Sequence, residues 1–177
     1  LLPLLRPGIV HRIDRDTTGS LLVCKNDYAH ASIAQQLKDH TITRRYEAIV
    51  HGVLPLDEGT INAPIGRHTC DRKRMAVDHK NGKEAVTHYR VLKRFRNHTR
   101  IECRLGTGRT HQIRVHMASI GHPLHGDAVY GPGRKNDFLE GQTLHARVLE
   151  FLHPRSGAYI ETEAPLPEYF RELLEKF

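Results

Sequence analysis

Residues Asn81-Gly82, then Ala85-Val-Thr-His-Tyr-Arg90-Val-Leu-Lys-Arg-Phe95 and, past Asn97, Arg100-Ile-Glu-Cys-Arg-Leu105 decide the architecture of this chain. Asn-Gly is its strongest hairpin signal, because both residues tolerate the positive φ that a tight hairpin turn requires. It predicts a hairpin between residues 75–79 and 85–95. Asn97 marks a second turn, after which 100–105 runs back. Outward from this core, 21–25 and 45–53 read as strands, and 144–152 and 159–163 as a last strand pair. A helix is expected over 27–39, capped by Asn26 or Asp27, with Ile33, Ala34 and Leu37 on one face. Another is expected from a Thr110 cap to about Ser119, with Ile113, Met117 and Ile120 as its buried stripe and Gly121 and Pro123 as its stop. Residues 168–177 form a closing helix. Successive strands joined by short turns imply an α+β domain: a mixed, mainly antiparallel sheet with flanking helices, not a doubly wound nucleotide fold.

The chain has 177 residues, which suits one domain, 1–177, with a real hydrophobic core. It carries 27 Lys and Arg against 20 Asp and Glu, a net charge of +7, and 14 histidines besides. That balance favours a nucleic acid or another polyanion as partner over a merely solvated surface. No apolar run approaches a membrane span. The start, Leu-Leu-Pro-Leu-Leu-Arg6, lacks the basic flank of a signal peptide. The three cysteines are too few and too scattered for a disulfide framework or a zinc ribbon. Cys24 and Cys103 lie in apolar strand-like runs and read as buried thiols, which points to a reducing compartment, the bacterial cytoplasm.

The chemistry concentrates in two blocks. In His11-Arg12-Ile13-Asp14-Arg15-Asp16-Thr17-Thr18-Gly19 a carboxylate sits between arginines beside a turn-forming run. Polyanion binding alone would omit that acid, so Asp14 reads as a chemical group and Asp16 as a loop cap. In extended backbone Arg12 and Asp14 share one side, with His11 and Ile13 on the other. The short oxygens of 16–18 can hold the loop rigid. In Gly106-Thr-Gly108-Arg109-Thr-His111-Gln-Ile-Arg114-Val-His116 the cations Arg109, His111 and Arg114 gather at the first turns of a helix, where free amides also favour anions. One of these arginines can pair Asp14 and keep it ionised. The Gly-x-Gly opening has neither P-loop spacing nor the third glycine of a dinucleotide fingerprint. The histidines show no metalloprotease spacing, and His68, His79, His88 and His98 are scattered through predicted hairpins, so no metal ligand is assigned. Arg67, His68, Arg72, Lys73 and Arg74 beside Met75, with Lys80 and Lys83 around the Asn-Gly turn, suit either a phosphate backbone or a solvated edge.

These blocks resemble a known family. His11–Gly19 is similar to the catalytic motif of RluA-type pseudouridine synthases. Arg45-Tyr46-Glu-Ala-Ile-Val-His-Gly52 resembles their tyrosine motif, Thr107–His116 their third motif, and Gly126-Asp-Ala-Val-Tyr-Gly131 the turn after it. Leu144-His-Ala146 with His153-Pro154 resembles the closing strand, so the likeness runs from about residue 7 to residue 167 in family order. The hairpin ending Ala85-Val-Thr-His-Tyr89 is most similar to the subgroup of ribosomal large subunit pseudouridine synthase D, which acts on 23S rRNA. The resemblance implies that Asp14 is the catalytic aspartate, Tyr46 the tyrosine stacked on the target base, Arg114 the partner of the aspartate, and Leu144 an apolar neighbour of the base. It departs from the pattern at Ser20, where members usually carry leucine, and at Gly106, where glutamate is frequent.

The implied reaction isomerises uridine within RNA: the N-glycosidic bond breaks, the uracil turns, and its C5 joins ribose C1′. It needs no cofactor and no metal, and the protein is expected to work as a monomer without a membrane. Asp14 would act as nucleophile or as a base at the ribose. Arg12 is expected to occupy the space left by the extruded base, and Arg109 and His111 to bind substrate. The family's N-terminal catalytic strand, and the S4 RNA-binding domain that often precedes it, are not visible, so earlier elements are expected outside this sequence. The competing readings are a non-catalytic RNA-binding or ribosome-assembly module, a paralogue modifying another RNA, and a metal-dependent nuclease, which the missing ligand spacing disfavours.

Overall fold

The computed structural model of the chain describes residues 8–71, 74–132, 139 and 141–177. In chain order these form β1 (Thr18–Gly19), α1 (Asp27–Lys38), β2 (Thr43–His51), β3 (Glu58–Asn62), β4 (Ile65–Arg67), β5 (Met75–Val77), β6 (Val86–Arg94), β7 (His98–Leu105), α2 (Gln112–Ser119), β8 (Leu144–Leu152), β9 (Tyr159–Glu163) and α3 (Glu168–Lys176). The main sheet runs β1-β8-β2-β7-β6-β3, with β9 also on β8, and β4-β5 pair apart from it. Only β1 on β8 is parallel in that sheet. The expected mixed, mainly antiparallel α+β architecture is the one observed.

β2 lies at the centre because both its edges are paired: Tyr46 stands opposite Cys103 of β7 and Ala146 of β8. The β2–β8 register shifts between Arg45, opposite Val148, and Tyr46, opposite Ala146, which leaves Arg147 as a bulged residue. One face of the sheet therefore carries Leu144 and Ala146 before the bulge, and Leu149 and Phe151 after it. The first pair joins a cluster with Tyr46, Ala48, Val50, Ile101, Ile113 and Met117. The second joins Cys24, Ile33 and Ile42, covered by α1. On the opposite face Ile49 packs on Phe170 and Leu173 of α3. All three cysteines are free thiols, with Cys24 and Cys103 buried and Cys70 exposed.

The Asn81-Gly82 turn forms, but it does not join the strands expected. The Asp78 carboxylate accepts the amides of Lys80 and Asn81, both at 3.0 Å, and Gly82 N–H reaches the Asp78 carbonyl at 2.9 Å. That side chain widens the turn, so β5 pairs with β4 while β6 pairs with β3 and β7. β3 and β4 are short and broken by Gly59, Gly66 and Pro64, and no run of alternating residues announces them. Residues 21–25 make no ladder, only an isolated bridge from Val23 to Ile9. The chain pairs earlier, at β1, because Gly19, at φ 109°, lets the backbone press against Ala146 where any Cβ would strike the Ala146 carbonyl.

The helices start and end close to expectation, with two differences. Asn26 caps α1 by accepting the Ala29 amide at 2.8 Å. α2 begins instead at His111, a left-handed residue at φ 55° with no side-chain cap bond. Thr110 is not the cap. The Gln112 side chain takes the Arg109 amide at 2.9 Å and the Thr107 hydroxyl at 2.7 Å. Ile120 is 39% exposed, outside the expected stripe, while every residue from Gln112 to Met117 is buried. α2 is thus a central helix enclosed on all sides, which a stripe of three apolar residues understates.

Gly19→Ala forces a Cβ onto the Ala146 carbonyl at a positive φ. It is expected to cost about 2–4 kcal/mol in urea unfolding and to detach β1 from β8. A variant as stable as the parent would show that this approach is not tight.

Candidate active site

Five segments, among them the end of α1 and the turn after it at Leu37, Lys38 and His40, converge on a cleft of about 560 Å³. That lies within the range of about 300–1,000 Å³ typical of ligand sites. Residues 10–17 supply one wall, β2 the floor through Arg44 and Tyr46, the turn into α2 another wall through Gly108, Arg109 and His111, and β8 contributes Leu144. The cleft sits on the sheet face between the two apolar clusters.

Asp14 stands beside Arg114. Its Oδ2 is 3.5 Å from Arg114 Nη1, and its side chain is 13% exposed, so the carboxylate is neither sealed in nor turned away. The strain of its loop is held from behind. Thr17 N–H bonds the Asp14 carbonyl at 3.1 Å, and Asp16 takes φ 66°. Gln142 donates to the Arg15 carbonyl at 2.7 Å and to the Thr17 hydroxyl at 3.1 Å. Thr18 and His145 share a bond of 2.8 Å. Thr17 and Thr18 fix the loop through these side-chain bonds, whereas Asp16, expected as a loop cap, stands 3.6 Å from Arg15.

Arg114 is itself fixed by a residue that the sequence reading left in a turn. Asp127 accepts Nε at 2.7 Å and Nη2 at 2.9 Å, while its Oδ1 also accepts the amides of Val129 and Tyr130 at 2.9 and 3.0 Å. Burial works against the charge of Arg114, but the bonds to Asp127, with Asp14 adding to them, hold the guanidinium above its ordinary pKa. Burial likewise opposes ionisation of Asp127, yet Arg114 and the two amides hold it below its ordinary value of 3.8. Tyr130 closes the group: its ring lies 5.1 Å from the Arg114 guanidinium, and its hydroxyl is 2.9 Å from His111 Nδ1. Burial is also the main reason the His111 pKa falls below 6.5.

Tyr46 is buried at 7% exposure and lines the cleft. Burial pushes its phenol up; the Arg44 charge pulls it down and Asp14 pushes it further up, so it stays protonated at neutral pH. Leu144 is buried at 4% exposure in the same wall. Arg12 is exposed at the cleft and Arg109 donates to the Glu84 carbonyl at 2.8 Å. His11 and Ile13 line the cleft too, so the clean two-sided alternation expected of residues 11–14 is not kept. The reason is local: these residues lie in no named strand, and His11 Nε2 accepts the Leu22 amide at 2.9 Å.

Two residues escaped the sequence reading. Asp127 carried a signal, an acid between Gly126 and an apolar pair in a basic neighbourhood. Arg44 carried a better one: it lies two positions before Tyr46 in a strand and must share its face. Burial lowers the Arg44 pKa, and its Nε is buried without a hydrogen-bond partner. Of the basic hairpin, Arg72 and Lys73 lie outside the described residues, as does the Leu1–Arg6 start.

Asp127→Asn is expected to lose about 3–5 kcal/mol of stability at pH 7, because it leaves a buried guanidinium half-paired. The folded pKa of Asp127 lies below the unfolded one, so its contribution is present above about 3.8 and fades as pH falls through the folded value. Urea unfolding should therefore show the gap between parent and variant shrinking from pH 6 to pH 3; a constant gap would contradict the assignment.

The chain matches the model of one protein family, described as RNA pseudouridylate synthase, over residues 4–119. It is 60% identical over 171 residues to the uncharacterized RNA pseudouridine synthase YlyB of Bacillus subtilis, covering 97% of this chain and 56% of that protein. It is 51% identical over 171 residues to the ribosomal large subunit pseudouridine synthase D of Zymomonas mobilis, covering 92% and 54%. The chain thus spans about half the length of the curated relatives it matches. Among solved structures, human RNA pseudouridylate synthase domain containing 1 superposes with a TM-score of 0.78 at 30% identity, over 89% of this chain and 68% of that one. A second human structure, domain containing 4, has a TM-score of 0.77 at 23% identity, over 95% of this chain and 74% of its own, a likeness of fold alone.

Proposed function

Because the chain belongs to the RNA pseudouridylate synthase family, we propose that it converts uridine to pseudouridine in RNA, with Asp14 as the catalytic aspartate. The observation that carries this reading is a mostly buried carboxylate held 3.5 Å from a doubly anchored arginine, in a cleft that also contains Tyr46. Relatives named for the large ribosomal subunit favour 23S rRNA as the substrate. Among the described residues no helix is long and apolar enough to cross a membrane. Free thiols at all three cysteines and an RNA substrate fit the cytoplasm.

The geometry supplies what the isomerisation needs. A uridine must leave its stack, at a cost of a few kcal/mol, least in a loop. Packing against Tyr46 offsets part of this, since stacking on an aromatic ring contributes about 1–3 kcal/mol per base. Leu144 provides the apolar side of the slot. Arg12, exposed at the rim, fills the gap the base leaves. Both available routes, attack on C1′ and removal of a ribose proton, use the Asp14 carboxylate, which Arg114 faces at 3.5 Å. The detached uracil turns within the closed slot, C5 bonds to C1′, and the C5 proton is lost as N1 gains one. Enclosure matters here, because an escaped uracil leaves an abasic site. Arg44, Arg109 and His111 ring the cleft and meet the phosphates flanking the target.

Asp14→Asn should lower pseudouridine formation on rRNA transcript by at least about a hundredfold, with RNA affinity changed less than about tenfold. Chemical mapping of pseudouridine measures the first and filter binding the second; turnover at the parental rate would refute the assignment. Arg44→Gln should raise KM more than it lowers kcat. It should also flatten the salt dependence of binding by roughly 0.7–0.9 in log–log slope, one phosphate contact. An unchanged slope would remove Arg44 from the phosphate path.

A further inference from the structure

At the far end of the central strands, His51, His98 and His125 face one another. Their nearest ligand nitrogens all lie within 4.8 Å of one another. The ring centroids form a near-equilateral triangle, at 5.0 Å for 51–98, 5.0 Å for 51–125 and 4.8 Å for 98–125. None of the three lines the catalytic cleft. His51 is five residues along β2 from Tyr46, a separation of about 17 Å.

We propose that these three imidazoles form a binding site for a divalent transition metal, with zinc as the best-suited ion. The geometry fits. With metal–nitrogen bonds of about 2.05 Å, a tetrahedral site sets nitrogens about 3.3 Å apart and ring centres about 5.2 Å apart. The centroid spacings are already within a few tenths of an ångström of that. One nitrogen pair, His98 Nε2 and His125 Nδ1, is at 3.2 Å; only the remaining nitrogens need a rotamer adjustment to close from within 4.8 Å.

The backbone holds the triangle in place. His51 and His98 are cross-strand partners in the β2–β7 ladder. His51 N–H bonds the Pro123 carbonyl at 2.9 Å, and His125 N–H bonds the Ile49 carbonyl at 2.8 Å. Thr143 binds the His125 carbonyl through both its amide, at 2.8 Å, and its hydroxyl, at 2.9 Å. The Phe177 ring stacks on His98 at 4.0 Å and meets His125 edge-on at 5.2 Å, fixing both ring planes. Ligands set in advance lose little entropy on binding. Burial also favours neutral imidazoles, the form that ligates, at all three positions. Imidazole suits zinc, copper and nickel rather than magnesium or calcium. Three protein ligands leave a fourth position for water, and the ion would clasp β2, β7 and the loop after α2.

The test uses the whole chain and Zn²⁺ alone. Isothermal titration of the parent should show one saturable site. His51→Gln and His98→Gln should each weaken it at least tenfold while the far-UV circular dichroism stays parental. On the unmutated protein, titration followed by histidine side-chain NMR should shift three imidazoles together, saturating at one equivalent. Co²⁺ in place of Zn²⁺ should give the visible absorption of a tetrahedral site. The proposal is overturned if the parent shows no one-to-one site, if either variant binds Zn²⁺ as the parent does, or if the shifted imidazoles belong to other histidines.

Discussion

The Arg114 guanidinium, held by the two hydrogen bonds it donates to Asp127 and facing Asp14 on its other side, is the constraint on which the site depends. Its side chain is 6% exposed and that of Asp127 is fully buried. A lone charge so placed would be prohibitive, whereas a two-bond pair with its spare lone pairs taken by the Val129 and Tyr130 amides is tolerable. Arg114 and Asp127 cancel, so Asp14 meets a cation already neutralised and is not locked into a close bidentate bridge. Its 3.5 Å separation keeps one face of the carboxylate available. Asp127 also ties the guanidinium to Tyr130 and so to His111 and to the Met75 amide, which links α2 to the small β4-β5 sheet.

Arg44 is the counterpart of that arrangement. It lies on the same sheet face as Tyr46, and a Cβ on Gly108 would come 2.6 Å from its Nη1, so the absence of a side chain at 108 is what lets it in. Bare Gly108 and a cation with a buried, unbonded Nε leave room for an anion that the protein does not itself supply. The acidic residues that could have quenched it are spent elsewhere. Glu47, Glu102 and Glu150 face the other side, where they pair Arg100, Arg45, Arg90 and Arg147.

Much of this was legible in the residues, and the failures have physical causes. β8 and β9 match the expected strands residue for residue. Charge logic paired Asp14 with one of the arginines of the second block, the family resemblance singled out Arg114, and the coordinates put the two 3.5 Å apart. The Asn-Gly hairpin misled because Asp78, three residues upstream, captures the turn amides and redirects the chain. The Thr110 cap misled because the Gln112 amide goes to the Arg109 carbonyl and the buried Gln112 side chain holds the Arg109 amide in return. Asp127 was hidden for a related reason: its role lies in a contact 13 residues away, across a turn. The histidine triangle could not be read from spacing at all, since strand register and the loop bonds around His125 assemble it.

The bulge at Arg147 has a consequence for how this chain tolerates insertions and deletions. Strand parity changes there, so apolar residues can line one face at even positions up to 146 and at odd positions from 149 onward. Deleting one residue between 146 and 149 would remove the bulge and leave Leu149 and Phe151 on the face that α1 covers, whereas a second deletion there would turn both to the opposite side and bring Glu150 onto that face. β8 thus carries one spare residue: its loss is absorbed at the bulge, while any further shortening is felt along the rest of the strand.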